Sequence, residues 1–227
     1  MMKNEIKNFL EMFNKVIIEE IGRFLYLVRD KNYQKEAIDR LIKLRQQAVN
    51  LKEKMINESD EENANILLSI ENIAEAIVNE LKMWIALKED KVNEAWDYLV
   101  DAQSAIRTAL QAHGIALKLD GERYANKLHL IEKLIFPSQA FFSPGFVIEE
   151  AKCSVCGKNY EECEHIVGKA YMGKMCYRII TKCKLKEVSI VESPGNKKAR
   201  ALTFIDGNII RDYMTWRIIK DEENGKD

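Results

Sequence analysis

Apolar residues recur at helical spacing through more than half of this chain, and beyond residue 135 that periodicity stops. Ile6, Phe9, Leu10, Phe13, Val16, Ile17, Ile21, Phe24, Leu25 and Val28 share one stripe of a first predicted helix. Ala37, Leu41, Leu44, Ala48, Leu51 and Met55 follow at alternating spacings of four and three, the seam of a helix packed nearly antiparallel to a neighbour. Ser59 and Glu62 make a capping-box pattern that predicts a third helix, with the stripe Ile66, Ile70, Ile73, Ile77, Leu81 and Trp84. Asp90 is placed to cap a fourth, carrying Val92, Ala95, Trp96, Leu99, Ala102, Ile106, Ala109 and Leu110, and Gly114 suits its end. After Asp120-Gly121, the residues Tyr124, Leu128, Ile131, Leu134 and Ile135 support a shorter fifth helix. Short connections between such helices force neighbours antiparallel, so the first part reads as an up-down bundle of four to five helices.

From Ile6 to Ile135 there is no proline; Pro137, Pro144 and Pro194 all follow, with most of the glycines. Segments 177–181, 187–191 and 201–205 have the β-branched character of strands, separated by turn sequences at 193–196 and Asp206-Gly207. Residues 209–219 fit a last strand pair or a short helix. The predicted fold class is therefore α+β in two parts: a bundle over 1–135, a small β-rich domain over 136–220, and a disordered tail over 221–227.

Charge adds little to this picture. Thirty-five Lys+Arg offset 36 Asp+Glu in 227 residues, which lacks the basic excess of a general nucleic-acid binder. No apolar run approaches a membrane span and the N-terminus does not read as a signal peptide, so a cytoplasmic protein with no membrane partner is expected.

Cysteine changes the picture more. All five cysteines lie between 153 and 183, the clustering of a metal site in a reducing compartment. Cys153 and Cys156, with Gly157 behind them, form a turn that faces two thiolates to one ion. Cys163 and His165, two apart on an extended segment, complete a tetrahedron. Three thiolates and one imidazole leave zinc no open position, so one structural zinc per chain is predicted. Cys176 is a reserve ligand, able to replace His165 if the chain folds back after Gly173, and Cys183 reads as a bystander. His113 and His129 lack the Glu-x-x-His pattern of di-iron bundles and read as surface or boundary residues. No cofactor beyond the zinc is expected.

Ser143-Pro-Gly-Phe146, then 185–191 and Pro194-Gly-Asn196 with Ala199-Arg200, resemble the C-terminal part of the prohead maturation serine proteases of tailed phages, over about 60 residues. The resemblance implies an assemblin-like β fragment and a phage or prophage origin. It would match Ser143 to the serine of the first motif and Glu187 to the acidic residue of the second. The family's catalytic histidine lies upstream on a β-rich segment, where this chain has its helices. A serine without a base is not an activated nucleophile. A catalytic reading would need Ser189 with His165 as base, and so would cost the zinc a ligand. The leading expectation is a non-enzymatic binding or assembly protein, with the bundle as the surface for a protein partner or self-association. Its competitors are an assemblin-like serine endopeptidase and a nucleic-acid-binding module using Lys182, Lys184, Lys186, Lys197, Lys198 and Arg200.

Overall fold

The computed structural model describes residues 2–17 and 30–221. Ile21, Phe24, Leu25 and Val28 of the first predicted stripe, and 222–227 of the predicted tail, lie outside the described residues. The chain is an N-terminal helical bundle followed by a small β-rich part. Its helices are α1 (Met2–Lys15), α2 (Lys31–Asn57), α3 (Glu61–Lys88), α4 (Val92–Ala112), the single turn α5 (Ile115–Lys118) and α6 (Gly121–Ile135). The strands are β1 (Phe141–Cys153), β2 (Ala170–Tyr171), β3 (Lys174–Met175), β4 (Arg178–Val191), β5 (Thr203–Asp206), β6 (Ile209–Asp212) and β7 (Ile218–Asp221).

The α2 seam is buried at all six predicted positions, and α1 adds Ile6, Phe9 and Phe13 to the same core. Helix α3 is the centre of the bundle. It packs on α2 along one side and on α4 along another, so its burial extends well beyond the predicted stripe to Ala64, Leu67, Leu68, Ala74, Ala76, Val78 and Met83. Ser69 lies fully buried on that helix and donates its hydroxyl to the Ala109 carbonyl of α4 at 2.9 Å, which satisfies a group that would otherwise be costly to bury.

The helix junctions differ from expectation in one consistent way. Ser59 and Asp90 do not start helices; they end them, in the left-handed region at φ 59° and 61°. The amide of the residue after each reaches back in the bond pattern of a Schellman motif: Asp60 N–H to Met55 O (2.9 Å) and Lys91 N–H to Ala86 O (2.9 Å). The N-cap of α3 is Asp60, whose carboxylate accepts from the Asn63 amide at 3.1 Å. Position 91, a lysine without a side-chain cap bond, precedes α4, and His113 rather than Gly114 closes it. Asp60→Ala is expected to cost about 1 kcal/mol in urea denaturation, whereas Ser59→Ala leaves the cap bond in place.

Leu134 and Ile135 also depart from their predicted stripe. They are exposed at the end of α6, where the chain leaves the bundle, while Leu128 remains buried and Tyr124 and Ile131 pack against the core.

Among the described residues the β-rich part has three small sheets: a β1–β4 ribbon, a β2–β3 hairpin and a β5–β6–β7 meander. Residues 209–219 thus supply a strand pair. The two segments predicted at 177–181 and 187–191 belong to one continuous strand, β4, which pairs antiparallel with β1 from Phe141↔Val191 to Cys153↔Arg178. The two parts share a core. Phe136, Phe141 and Met214 are buried in the cluster that the helices form, and Trp96 of α4 stands edge-on to Phe136 with centroids 5.4 Å apart. The Trp96 indole N–H donates to the Lys197 carbonyl at 3.0 Å.

Candidate metal centre

The root of the β1–β4 ribbon holds four of the five cysteines. Cys153 closes β1 and the chain turns at once: the Gly157 N–H donates to Cys153 O (2.8 Å) and the Cys153 N–H donates to Lys158 O (2.9 Å). Gly157 adopts φ 71°, a conformation that glycine takes without steric cost. The turn carries Cys156 back beside Cys153. A single 3-10 turn at Tyr160–Glu162, capped by the Asn159 side chain, then delivers Cys163 and His165. Cys163 has extended dihedrals, as expected, but it follows this turn and is not part of a strand.

The Sγ atoms of Cys153, Cys156 and Cys163 and a ring nitrogen of His165 all lie within 4.8 Å of one another. Cys156 Sγ to Cys163 Sγ is 3.5 Å, and Cys163 Sγ to His165 Nδ1 is 3.2 Å. In a tetrahedral site with Zn–S bonds near 2.3 Å, sulfurs stand about 3.8 Å apart. The cluster is therefore already close to the size of a bound ion's first shell, and its donor set fits zinc. None of the five cysteines is disulfide-bonded.

Local amides point at the sulfurs as they do at thiolates. Val155 N–H donates to Cys153 Sγ (3.4 Å) and His165 N–H to Cys163 Sγ (3.2 Å). Burial acts to raise the Cys153 thiol, but the amides of Cys156 and Val155 and the thiols of Cys163 and Cys156 outweigh it and bring it down to about 6. Burial and the neighbouring Cys153 push Cys163 and Cys176 up to about 11. One thiolate is thus readily formed, and a cation supplies the charge that Cys163 and Cys176 need before they ionise. The His165 ring packs edge-on to Tyr171 at 4.6 Å. The Tyr171 hydroxyl accepts from Ile166 N–H at 3.0 Å, which fixes the segment beyond the histidine.

The chain does fold back at Met172-Gly173, where both residues have positive φ. That hairpin brings Cys176, which is fully buried, to 3.8 Å from Cys153 (Sγ to Sγ). Cys183 sits exposed on β4 opposite Ile148, away from the turn that holds the other cysteines.

Ser143 and Ser189 are directly paired across β1 and β4, and Glu187 pairs with Gly145 two residues further on. This is the opposite end of the ribbon from the metal cluster. Cys153 lies ten residues beyond Ser143 along β1, about 30 Å at the rise of a strand. Ser189 and His165 therefore stand toward opposite ends of the ribbon.

The basic residues of the nucleic-acid reading are also distributed otherwise than expected. Lys182 and Lys184 both pair with Glu149. Lys197 binds Glu132 (2.5 Å) and Lys198 binds Asp101 (2.6 Å). Arg200 is buried, donating to Asn93 at 2.7 Å and lying over the Trp96 ring. Sequence reasoning missed that residues 197, 198 and 200 fasten the β-rich part to α4 and α6, since their partners there lie 65–107 positions away.

His113 bridges to Glu62 at 2.9 Å at the end of α4, and His129 is exposed on α6, both outside the cluster. Among the described residues, no helix is long and apolar enough to cross a membrane. No family model, curated protein or solved structure matches this chain, so the likeness to prohead proteases rests on its short motifs alone.

Proposed function

We propose that this chain is a non-enzymatic assembly protein of phage or prophage type, in which one structural zinc ion, held by Cys153, Cys156, Cys163 and His165, fixes the root of a β ribbon that a second copy of the chain covers. The observation that carries the reading is the ribbon itself. It has only two strands, and a lone two-stranded ribbon is marginal in water. Yet it extends for thirteen to fourteen residues with apolar side chains bare. On one face Phe142 pairs with Ile190 and Pro144 with Val188. Ile190 and Val188 are 74% and 57% exposed, a contiguous patch of the kind that marks contact with another protein.

The bundle was the expected contact surface. Its exposed apolar residues, such as Tyr33 and Ile42 on α2, Leu117 on α5 and Leu130 and Leu134 on α6, are spread over several helices, whereas the much smaller ribbon gathers Phe142, Val188 and Ile190 in one patch, so the ribbon is the better candidate. The zinc supports the reading because its ligands come entirely from the chain and leave no coordination position for a substrate.

Self-association through this patch is the test. The mass of the wild-type chain in sedimentation equilibrium is expected to rise with concentration to at least that of a dimer. The double variant Val188→Lys/Ile190→Lys, which keeps the strand and adds two charges to the patch, stays monomeric. A wild-type chain that is monomeric throughout the micromolar range, indistinguishable from the variant, would overturn the reading.

A further inference from the structure

Four donors of the metal cluster lie within 4.8 Å of one another, and a fifth sulfur, that of Cys176, stands beside Cys153. Resting on the zinc reading above, we propose that Cys176 is a second fourth ligand, taking the position of His165 when the imidazole leaves the ion.

Three observations place it there. Its sulfur is 3.8 Å from that of Cys153, the edge length of a tetrahedral zinc–thiolate site at about 3.8 Å. The contact between Cys156 and Cys163 at 3.5 Å is a second such edge and involves the other two sulfurs. Cys176 is also fully buried, whereas His165 is only half-buried. Finally, the backbone holds Cys176 in position independently of any metal. Its N–H donates to Lys169 O at 2.8 Å and its carbonyl accepts from Gly168 N–H at 2.9 Å.

The exchange balances without an outside acid or base. The bond from the ion to the imidazole breaks as one to the Cys176 sulfur forms, and the thiol proton passes to the freed His165. The protein as a whole keeps its charge, while the ion's own shell gains one negative charge.

The two ligands differ in what they are attached to. His165 lies on the segment after the 3-10 turn. Cys176 follows directly on a hairpin that is docked on the bundle. Asn65 Oδ1 accepts from Gly173 N–H at 2.8 Å, Glu61 accepts from Met172 N–H at 3.2 Å, and Met175 is buried against Leu68 and Ala112. Ligation by Cys176 therefore ties the ion, and through it the ribbon's root, to α3 and α4.

The test uses the full chain loaded with Zn(II) and X-ray absorption at the zinc edge, with metal content measured after gel filtration. The wild type is expected to hold one equivalent with three sulfurs and one nitrogen. His165→Ala is expected to keep one equivalent, now with four sulfurs, and to lose less than about tenfold in affinity in a chelator competition. His165→Ala/Cys176→Ala loses a further hundredfold or so. If His165→Ala shows three sulfurs and a light atom, or loses its metal, the proposal is overturned while the zinc centre stands. A wild-type chain without metal would instead remove the zinc reading itself. Circular dichroism and a monodisperse gel-filtration peak for each variant separate these outcomes from a general failure to fold.

Discussion

Removing the metal is expected to unfold the ribbon and leave the centre of the bundle intact. A strong divalent-metal chelator, or the double variant Cys153→Ala/Cys163→Ala that leaves three of the five donors, should reduce zinc from about one equivalent per chain to a small fraction. Amide hydrogen exchange should then lose protection over 141–191 and retain it in α3 and α4. The reason is the difference in what each part can bury. Helices α3 and α4 bury apolar residues such as Ile70, Leu81, Leu99 and Ile106 almost completely. Beyond its first pair, Phe141 and Val191, the ribbon buries little. At sites of this kind metal binding contributes on the order of 10 kcal/mol that becomes folding free energy, more than a lone two-stranded ribbon can lose and remain ordered. Unchanged protection over 141–191 after verified loss of the metal would show that the zinc is dispensable to the fold.

The second large effect concerns Glu80, a fully buried carboxylate in the middle of α3. It accepts from the Tyr124 hydroxyl at 2.7 Å, from Lys127 Nζ at 2.7 and 2.8 Å, and from the Trp84 indole at 3.2 Å. These bonds join α3 to α6. Glu80→Ala is expected to destabilise the chain by about 3 kcal/mol in chemical denaturation. That is the low end of the range for breaking a buried pair, because Lys127 is 30% exposed and can turn to water. Glu80→Gln, which keeps the shape, should cost less.

The same site predicts a pH dependence. Burial first, and then the charge and hydrogen bond of Glu80, hold the Tyr124 phenol well above its ordinary value of 10.0. A group whose proton is held more tightly in the folded state contributes stability that is fully present below the unfolded value and is lost as pH rises toward the folded one. The wild type should therefore lose stability above pH 10 more steeply than Tyr124→Phe. Equal slopes would show that the phenol does not gain its proton affinity from folding.

The sequence made some of this legible and not the rest, for physical reasons. The α2 seam was readable because one helix face meets one neighbour, so burial follows a single period. Helix α3 was underestimated because it meets neighbours on two sides, which a single-stripe reading cannot express. Ser59 and Asp90 read as helix starts because both residue types favour N-caps, whereas here backbone bonds put them in the left-handed region at helix ends. The cysteine cluster was readable because its ligands are close in sequence and the turn at Gly157 is local. The Glu80 site was not. Its partners Tyr124 and Lys127 lie 44 and 47 positions away, and the one hint was an acid set beside Ile77 and Leu81 on the apolar face. Strand β4 was split in two because Lys182, Lys184 and Lys186 interrupt its apolar character, and pairing with Glu149 accommodates the first two of these lysines.

The core shared by Phe136, Phe141 and Met214 has an evolutionary consequence. Genes exchange segments most easily where a break exposes no new apolar surface. A crossover near residue 135 would strip those three side chains from the helices and leave the Trp96 indole without its carbonyl. It would also empty the contact of Gly173 with Lys52 and Ile56, where even an added methyl group would come within 3.0 Å of the lysine stem. The helical and metal-bearing parts are thus fitted to one another residue by residue, and their sequences are expected to have been inherited together rather than shuffled as separate cassettes.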